Sequence, residues 1–220
     1  MKKEIKNIEA SVRARLVNKA QETNRAFAEV LQYYAMERFL YRLSQTEYKE
    51  RFILKGALMF VVWQIPNSRS TVDIDFLARY QNEITEIDKV VKNVCNVKVM
   101  ADGLFFDSKT VKVQKIKEDT EYGGVRAKFQ GLLGRARISM QVDVGFGDSV
   151  YPKPKAIDYP VILNFPKPHL KGYTIETVVA EKFEAMVKLG FLNSRMKDFY
   201  DLWLMTRQFE FEGESLTKAL

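Results

Sequence analysis

The sequence predicts an α+β protein whose central strands are flanked by helices. Three patterns carry that expectation. Apolar residues recur at helical spacing in "NRAFAEVLQYYAMERFLYRL". Alternating strand patterns fill the stretch from Leu104 to Phe146. Two more helical patterns follow, "IETVVAEKFEAMVKLG" and "RMKDFYDLWLMTRQF". Helices, then mixed elements, then helices, without regular βαβ repetition, is the α+β pattern.

Taken in order, Phe27, Val30, Leu31, Tyr34, Ala35, Phe39 and Leu43 form the stripe of the first helix. "SQTE" (44–47) has the spacing of a capping box and is expected to open a short helix. "RFIL" reads as a strand broken by Gly56, and "ALMFVVWQ" as a buried helix ending before Pro66. A strand over 71–78 comes next, then a helix carrying Ile84, Ile87, Val91 and Val94. "LFFD", "TVKVQKI", "GVRAKFQG" and "RARISMQVDVGF" read as strands, with a turn at Tyr122, Gly123 and Gly124. "YPKPKAIDYPVILNFPKP" holds five of the six prolines and reads as an extended connector. The two late helices are separated by "FLNS". No internal repeat or low-complexity tract is present.

The strand "RSTVDIDFLARY" poses a chemical question. Aspartate is a poor strand former, yet Asp73 and Asp75 stand two apart, on one face and roughly 6.5–7 Å apart along the strand. Val72, Ile74 and Phe76 are expected to face the core. Two carboxylates so close repel unless a cation lies between them, and Mg²⁺ favours carboxylate and phosphate oxygens. In "ISMQVDVGFG", Asp143 falls on the polar face of its strand. If that strand lies beside 71–78, three carboxylates converge into a cage suited to phosphoryl or nucleotidyl transfer. The alternative is three solvated aspartates on an open sheet. Upstream, "LKGALMF" sets Gly56 between a strand and a helix start, where free N–H groups favour a phosphate.

With 220 residues and 46% hydrophobic content, the chain can build one large core. Its net charge of +7 favours a polyanionic partner. Cys95 is the only cysteine, which excludes an internal disulfide, suggests a reducing compartment and reads as a buried small residue. "MKKEIKNIEASVRARL" lacks the apolar centre of a secretory signal, and the longest apolar run, "ALMFVVW", is far too short to span a membrane. A cytoplasmic location with no membrane partner is the expectation. His169 lies among prolines without a metal-ligand partner and reads as structural.

The ordered set "LKGA…RSTVDIDF…DVGFGD…AEKFEAMVKLG…NSRMKDFYDL" resembles the AbiEii/AbiGii nucleotidyltransferase toxins of type IV toxin–antitoxin systems, over essentially the whole chain. The resemblance implies a polymerase-β-like nucleotidyltransferase core with a mixed sheet. Residues 1–165 would hold the N-terminal helices and that core. Residues 166–220 would form a helical part completing the active site; family members are expected to continue with more helix where this sequence stops at Leu220, so it is either a short member or lacks its C-terminal end. Asp73 and Asp75 match the Asp-x-Asp metal pair, Lys182 the family's essential lysine and Asp198 its C-terminal aspartate. These four are the candidate catalytic residues. Asp143 fits the third carboxylate of the wider superfamily, so Asp73, Asp75 and Asp143 are the candidate ligands of Mg²⁺ or Mn²⁺. Lys55, Gly56, Arg69, Lys182 and Arg195 are the candidate nucleotide-binding residues. The superfamily usually has Gly-Ser at the turn, where this chain has Gly56-Ala57.

Lys182 emerges from an apolar helix face, where it can neutralise a triphosphate oxygen or simply snorkel at the surface. Asp198 and Asp201, three apart, share a face, and Asp198 is placed to orient Lys182 by a salt bridge. The leading expectation is a Mg²⁺-dependent transferase moving a nucleotide from an NTP to RNA, most simply tRNA, or to a protein hydroxyl, with a cognate antitoxin as a further partner. The basic clusters "RAR" (135–137) and "RMK" (195–197) favour RNA. A non-catalytic basic module retaining a dead nucleotide site and a phosphotransferase are the alternatives. The absence of a Gly-rich P-loop or kinase loop disfavours the latter.

Overall fold

The computed structural model describes residues 7–66, 68–79, 84–116 and 123–220. The first helix, α1 (Ile8–Glu22), was not anticipated. Asn7 caps it by accepting the Ala10 N–H at 2.9 Å, and it buries Val12, Leu16 and Ala20. It packs on α2 (Phe27–Ser44), the helix that the long apolar stripe predicts. Thirteen residues of α2 are buried, too many for one stripe, because α2 is covered from several sides.

The expected capping box does not form. Ser44 is the last residue of α2 and its hydroxyl donates to Tyr41 O, so it cannot cap the next turn. Glu47–Glu50 is a single 3₁₀ turn that leads into β1 (Phe52–Lys55). After Gly56 comes α3 (Leu58–Val62), only five residues long, and then β2 (Asp73–Ala78) and α4 (Ile84–Cys95). Val72 does not face the core. It precedes β2 and is 65% exposed, whereas Ile74 and Phe76 are buried as expected.

"LFFD" and "TVKVQKI" are one strand, β3 (Leu104–Ile116), with a bulge between Asp107 and Lys112. Polar side chains close that bulge. Asp107 Oδ1 accepts the Lys109 N–H, and the Thr110 hydroxyl donates to Asp107 O while accepting the Gln130 N–H. The strands β4 (Gly124–Leu133) and β5 (Ala136–Phe146) follow as expected. Of the turn before β4, Tyr122 lies outside the described residues, and Gly123 has a positive φ of 58°. The proline-rich connector contains β6 (Lys155–Asp158), which pairs with β7 (His169–Gly172). Four-residue strands among prolines carry too short a pattern to read. The helices α5 (Ile175–Leu189) and α6 (Met196–Gln208) match the two late patterns, and α7 (Gly213–Ala219) adds a short third.

Among the described residues, seven strands form one mixed sheet in the order β3-β4-β5-β2-β1-β7-β6. The β2/β5 and β1/β7 pairs are parallel and the rest antiparallel. Helices α2 and α4 contact the β3–β5 strands, and the main core lies between them. Val125, Ala127 and Phe129 of β4 and Ile138, Met140, Val142 and Val144 of β5 belong to that core, so the alternate residues of both strands form the opposite, polar face. A second cluster, including Ile53, Phe60, Leu77, Val178, Leu204 and Met205, joins the sheet to α5 and α6. Cys95 is buried, as expected, and burial pushes its thiol up to about 12. No helix among the described residues is long and apolar enough to cross a membrane.

Candidate active site

Parallel pairing of β2 with β5 sets Asp73 opposite Gln141 and Asp75 opposite Asp143. Equal parity along both strands puts all three aspartates on the face away from the main core. One carboxylate oxygen from each of Asp73, Asp75 and Asp143 lies within 4.8 Å of the others. All three side chains are partly buried, a setting in which their mutual repulsion is poorly screened. Burial, then the charges of Asp73 and Asp143, push Asp75 up to about 7. This donor set fits a divalent cation: hard oxygen ligands, excess negative charge and a shared focus.

Gly56 makes the approach of Asp75 possible. It has a φ of +68°, and a Cβ there would lie 2.1 Å from Asp75 Oδ2. The structural demand on Gly56 is therefore this contact. The expected role of a helix dipole is a correction, since α3 has only five residues and little dipole to offer. The Thr71 hydroxyl donates to Asp73 Oδ1.

Lys55 stands opposite Asp75 in the β1/β2 register. Its ammonium donates to Glu181 Oε1 at 2.6 Å and to Asp148 Oδ2 at 3.0 Å. Burial alone would lower its pKa, but the charges of Glu181, Tyr173 and Asp148 outweigh that and hold it above the usual lysine range. Lys182 is 9% exposed and donates to Asp198 Oδ1 at 2.9 Å and Asp201 Oδ2 at 2.8 Å. Asp198 thus makes the salt bridge to Lys182 that it was expected to be able to make, and Lys182 does not snorkel at the surface. Arg69 binds Asp201 through Nε and Nη2 at 3.1–3.3 Å, and Arg195 Nε lies 2.7 Å from Asp198 Oδ2. All four candidate nucleotide-binding cations are thus paired with carboxylates.

Two charge links tie the late helices to the sheet. Lys55–Glu181 joins β1 to α5, and Arg69–Asp201 joins the segment before β2 to α6. The structure thereby groups the candidates into an acidic triad with Gly56 and Lys55, and a neighbouring network of Arg69, Lys182, Arg195, Asp198 and Asp201. His169 stays apart, paired with Asp158 across the β6/β7 ladder, exposed and away from any carboxylate cluster.

Arg126 was not anticipated. It faces Asp143 across β4/β5 and grips it bidentately, Nε to Oδ1 at 2.8 Å and Nη2 to Oδ2 at 2.7 Å. The signal was present in "GVRAKFQG", where Val125, Ala127 and Phe129 are core-facing and Arg126 and Lys128 must point outward. Glu181 and Asp148 were missed because only the fold brings them to Lys55.

The protein is thus a mixed α/β fold, a sheet with α2 and α4 against its main-core face and α5 and α6 packed on the face that carries the carboxylate cluster. The same fold occurs in a provisionally named nucleotidyltransferase from H. pylori, at a TM-score of 0.54 and 14% identity, covering 82% of this chain and 68% of that one. It also occurs in JHP933 from Helicobacter pylori, at a TM-score of 0.55 and 14% identity, covering 82% and 67%. No curated protein matches the chain significantly. Residues 38–220 match the nucleotidyl transferase AbiEii toxin family of type IV toxin–antitoxin systems, and the chain belongs to that family. It is therefore a nucleotidyltransferase by family, with a nucleotide substrate and a cognate antitoxin implied.

Proposed function

We propose that the protein is a Mg²⁺- or Mn²⁺-dependent nucleotidyltransferase toxin, built on a polymerase-β-like core, that transfers a nucleotide from an NTP to RNA and so inhibits growth or phage propagation. The observation that carries this reading is the convergence of Asp73, Asp75 and Asp143 within 4.8 Å in a chain of this family. Asp73, Asp75 and Asp143 would hold the cation, which when bound neutralises phosphate charge and orients the reacting oxygens. The acceptor hydroxyl forms a bond to the α-phosphorus, the α–β bridging bond breaks, and pyrophosphate leaves as the hydroxyl proton is released.

The chain's own residues bind and orient. An ammonium has three donors, and Lys182 spends two on Asp198 and Asp201, leaving one for a phosphate oxygen. Asp198 and Asp201 fix its direction. Arg69 and Arg195 share its carboxylate partners, Lys55 stands opposite Asp75 on the triad side, and residues 166–220 complete the site from the side of α5 and α6.

An RNA acceptor, with tRNA as the simplest candidate, is supported by the polar sheet face beside the triad. There Lys112 pairs with Lys128 across β3/β4 and Arg126 with Asp143 across β4/β5, and Arg137 lies further along the same side of β5. Lys112, Lys128 and Arg137 are exposed. A basic strip of this kind suits a phosphate backbone.

The test is incubation of the purified protein with total RNA and α- or γ-labelled NTPs. Transfer of the α label alone is expected, and Asp73→Asn or Asp75→Asn should abolish it while the fold survives. Transfer of the γ label would make the protein a phosphotransferase. No transfer of either label would leave a binding module.

A further inference from the structure

We propose that Arg126 is an exchangeable counter-ion of the acidic triad: it holds Asp143 while no metal is bound, and a divalent cation displaces it toward the phosphates of the incoming nucleotide. The inference rests on the metal reading above.

The geometry is specific. Both oxygens of Asp143 receive Arg126, and Oδ2 also receives Gln141 Nε2 at 3.2 Å. A carboxylate offers about four acceptor positions, so three of those on Asp143 are taken. Asp73 and Asp75 have no such arginine among the described residues. Thr71 donates to Asp73, and Lys55, opposite Asp75, is committed to Glu181 and Asp148. A cation entering the triad therefore competes with Arg126 for Asp143 and with no other guanidinium. It also repels the guanidinium.

Arg126 is able to move. Its side chain is 31% exposed, against 15% for Asp143, and it springs from the open face of β4 with no second ion-pair partner among the described residues. Displaced, its planar fork keeps the geometry that suits phosphate oxygens bidentately. Metal and triphosphate would then bind cooperatively: the metal frees the arginine that the phosphates use. A permanent structural pair predicts the opposite, since removing Arg126 would loosen Asp143 and weaken the metal.

The experiment titrates Mn²⁺ into the full chain and follows free Mn²⁺ by electron paramagnetic resonance, with circular dichroism melts to check folding. Arg126→Gln should bind Mn²⁺ about tenfold more tightly than the parent, the scale of one partly exposed charge-assisted pair. At saturating Mn²⁺, the same variant should bind a non-hydrolysable NTP about tenfold more weakly, on the same scale. Arg126→Lys, which keeps the charge without the fork, should lie between in both titrations. Equal or weaker Mn²⁺ binding by Arg126→Gln overturns the exchange. Tighter Mn²⁺ binding with unchanged NTP affinity overturns the phosphate role. If the parent and Arg126→Gln both fail to bind Mn²⁺, the metal reading itself is overturned.

Discussion

Gly56 and Asp75 are interlocked: a Cβ on the glycine would lie 2.1 Å from Oδ2 of the aspartate. No real Cβ contact is that short, and the glycine also holds a φ of +68°. Gly56→Ala is therefore expected to move the Asp75 carboxylate out of the triad and strain the turn. We expect a stability loss of about 1–3 kcal/mol in urea unfolding and Mn²⁺ binding at least tenfold weaker, on the scale of a lost metal ligand or its support. Unaltered Mn²⁺ affinity in a folded Gly56→Ala protein would show that Asp75 is not a ligand.

Lys182, Asp198 and Asp201 should behave as one unit. Lys182→Ala would leave two carboxylates that are almost wholly buried without their ammonium. Each carboxylate keeps one guanidinium, Asp198 from Arg195 and Asp201 from Arg69, so the loss should fall below the roughly 3–5 kcal/mol of a wholly uncompensated buried charge, and the variant should lose stability as well as turnover. Lys182→Arg should rescue neither, because a planar fork does not fit a site built around a compact ammonium. In a double-mutant cycle, Lys182→Ala with Asp198→Ala should cost less than the sum of the singles. Strict additivity would mean that Asp198 acts independently of the lysine.

Glu37 predicts an unusual pH dependence of stability. It is buried in α2, and desolvation outweighs Arg38 and the Ile162 N–H to push it up to about 7, from 4.5 in the unfolded chain. The folded state then binds the proton more tightly than the unfolded state. Its contribution is full below pH 4.5 and is lost as the pH rises toward 7. Over that window the loss is on the order of 2–3 kcal/mol. Glu37→Gln keeps an acceptor for the Ile162 N–H and should flatten this slope. Urea unfolding at pH 5 and pH 8 measures it; parallel curves for the two proteins would refute the assignment.

RNA binding should depend on the polar sheet face more than on the cluster before α6. Arg195 is already paired with Asp198, whereas Lys112, Lys128 and Arg137 are exposed beside the triad strands. Lys128→Glu and Arg137→Glu should each weaken RNA binding and lower the salt slope by about one, while free-NTP affinity is nearly unchanged. RNA binding that ignores both substitutions and salt would point to a protein acceptor.

Much of this molecule is written locally. Helical spacing in 27–43 and 175–208 and the alternation in 124–146 specify their elements, because each pattern must bury one face whatever surrounds it. The same alternation puts Asp73, Asp75 and Asp143 on polar faces, and the three-residue spacing puts Asp198 and Asp201 on one side of α6. Where turn chemistry competed with tertiary contacts, local reading failed. Ser44 continues its helix instead of capping the next, Asp107 and Thr110 close a bulge where a break was expected, and Val72 lies outside its strand.

Tertiary structure alone decided which strands are neighbours, and so what each charged side chain meets. Nothing within β2 or β5 states that they pair in parallel with Asp75 opposite Asp143. Nothing within β4 states that Arg126 will take that aspartate, or within α5 that Glu181 will take Lys55. Periodicity fixes the face a residue occupies because it depends on the residue's own backbone. The partner across the face depends on strand order and register, which are set by the packing of the whole sheet against α2, α4, α5 and α6.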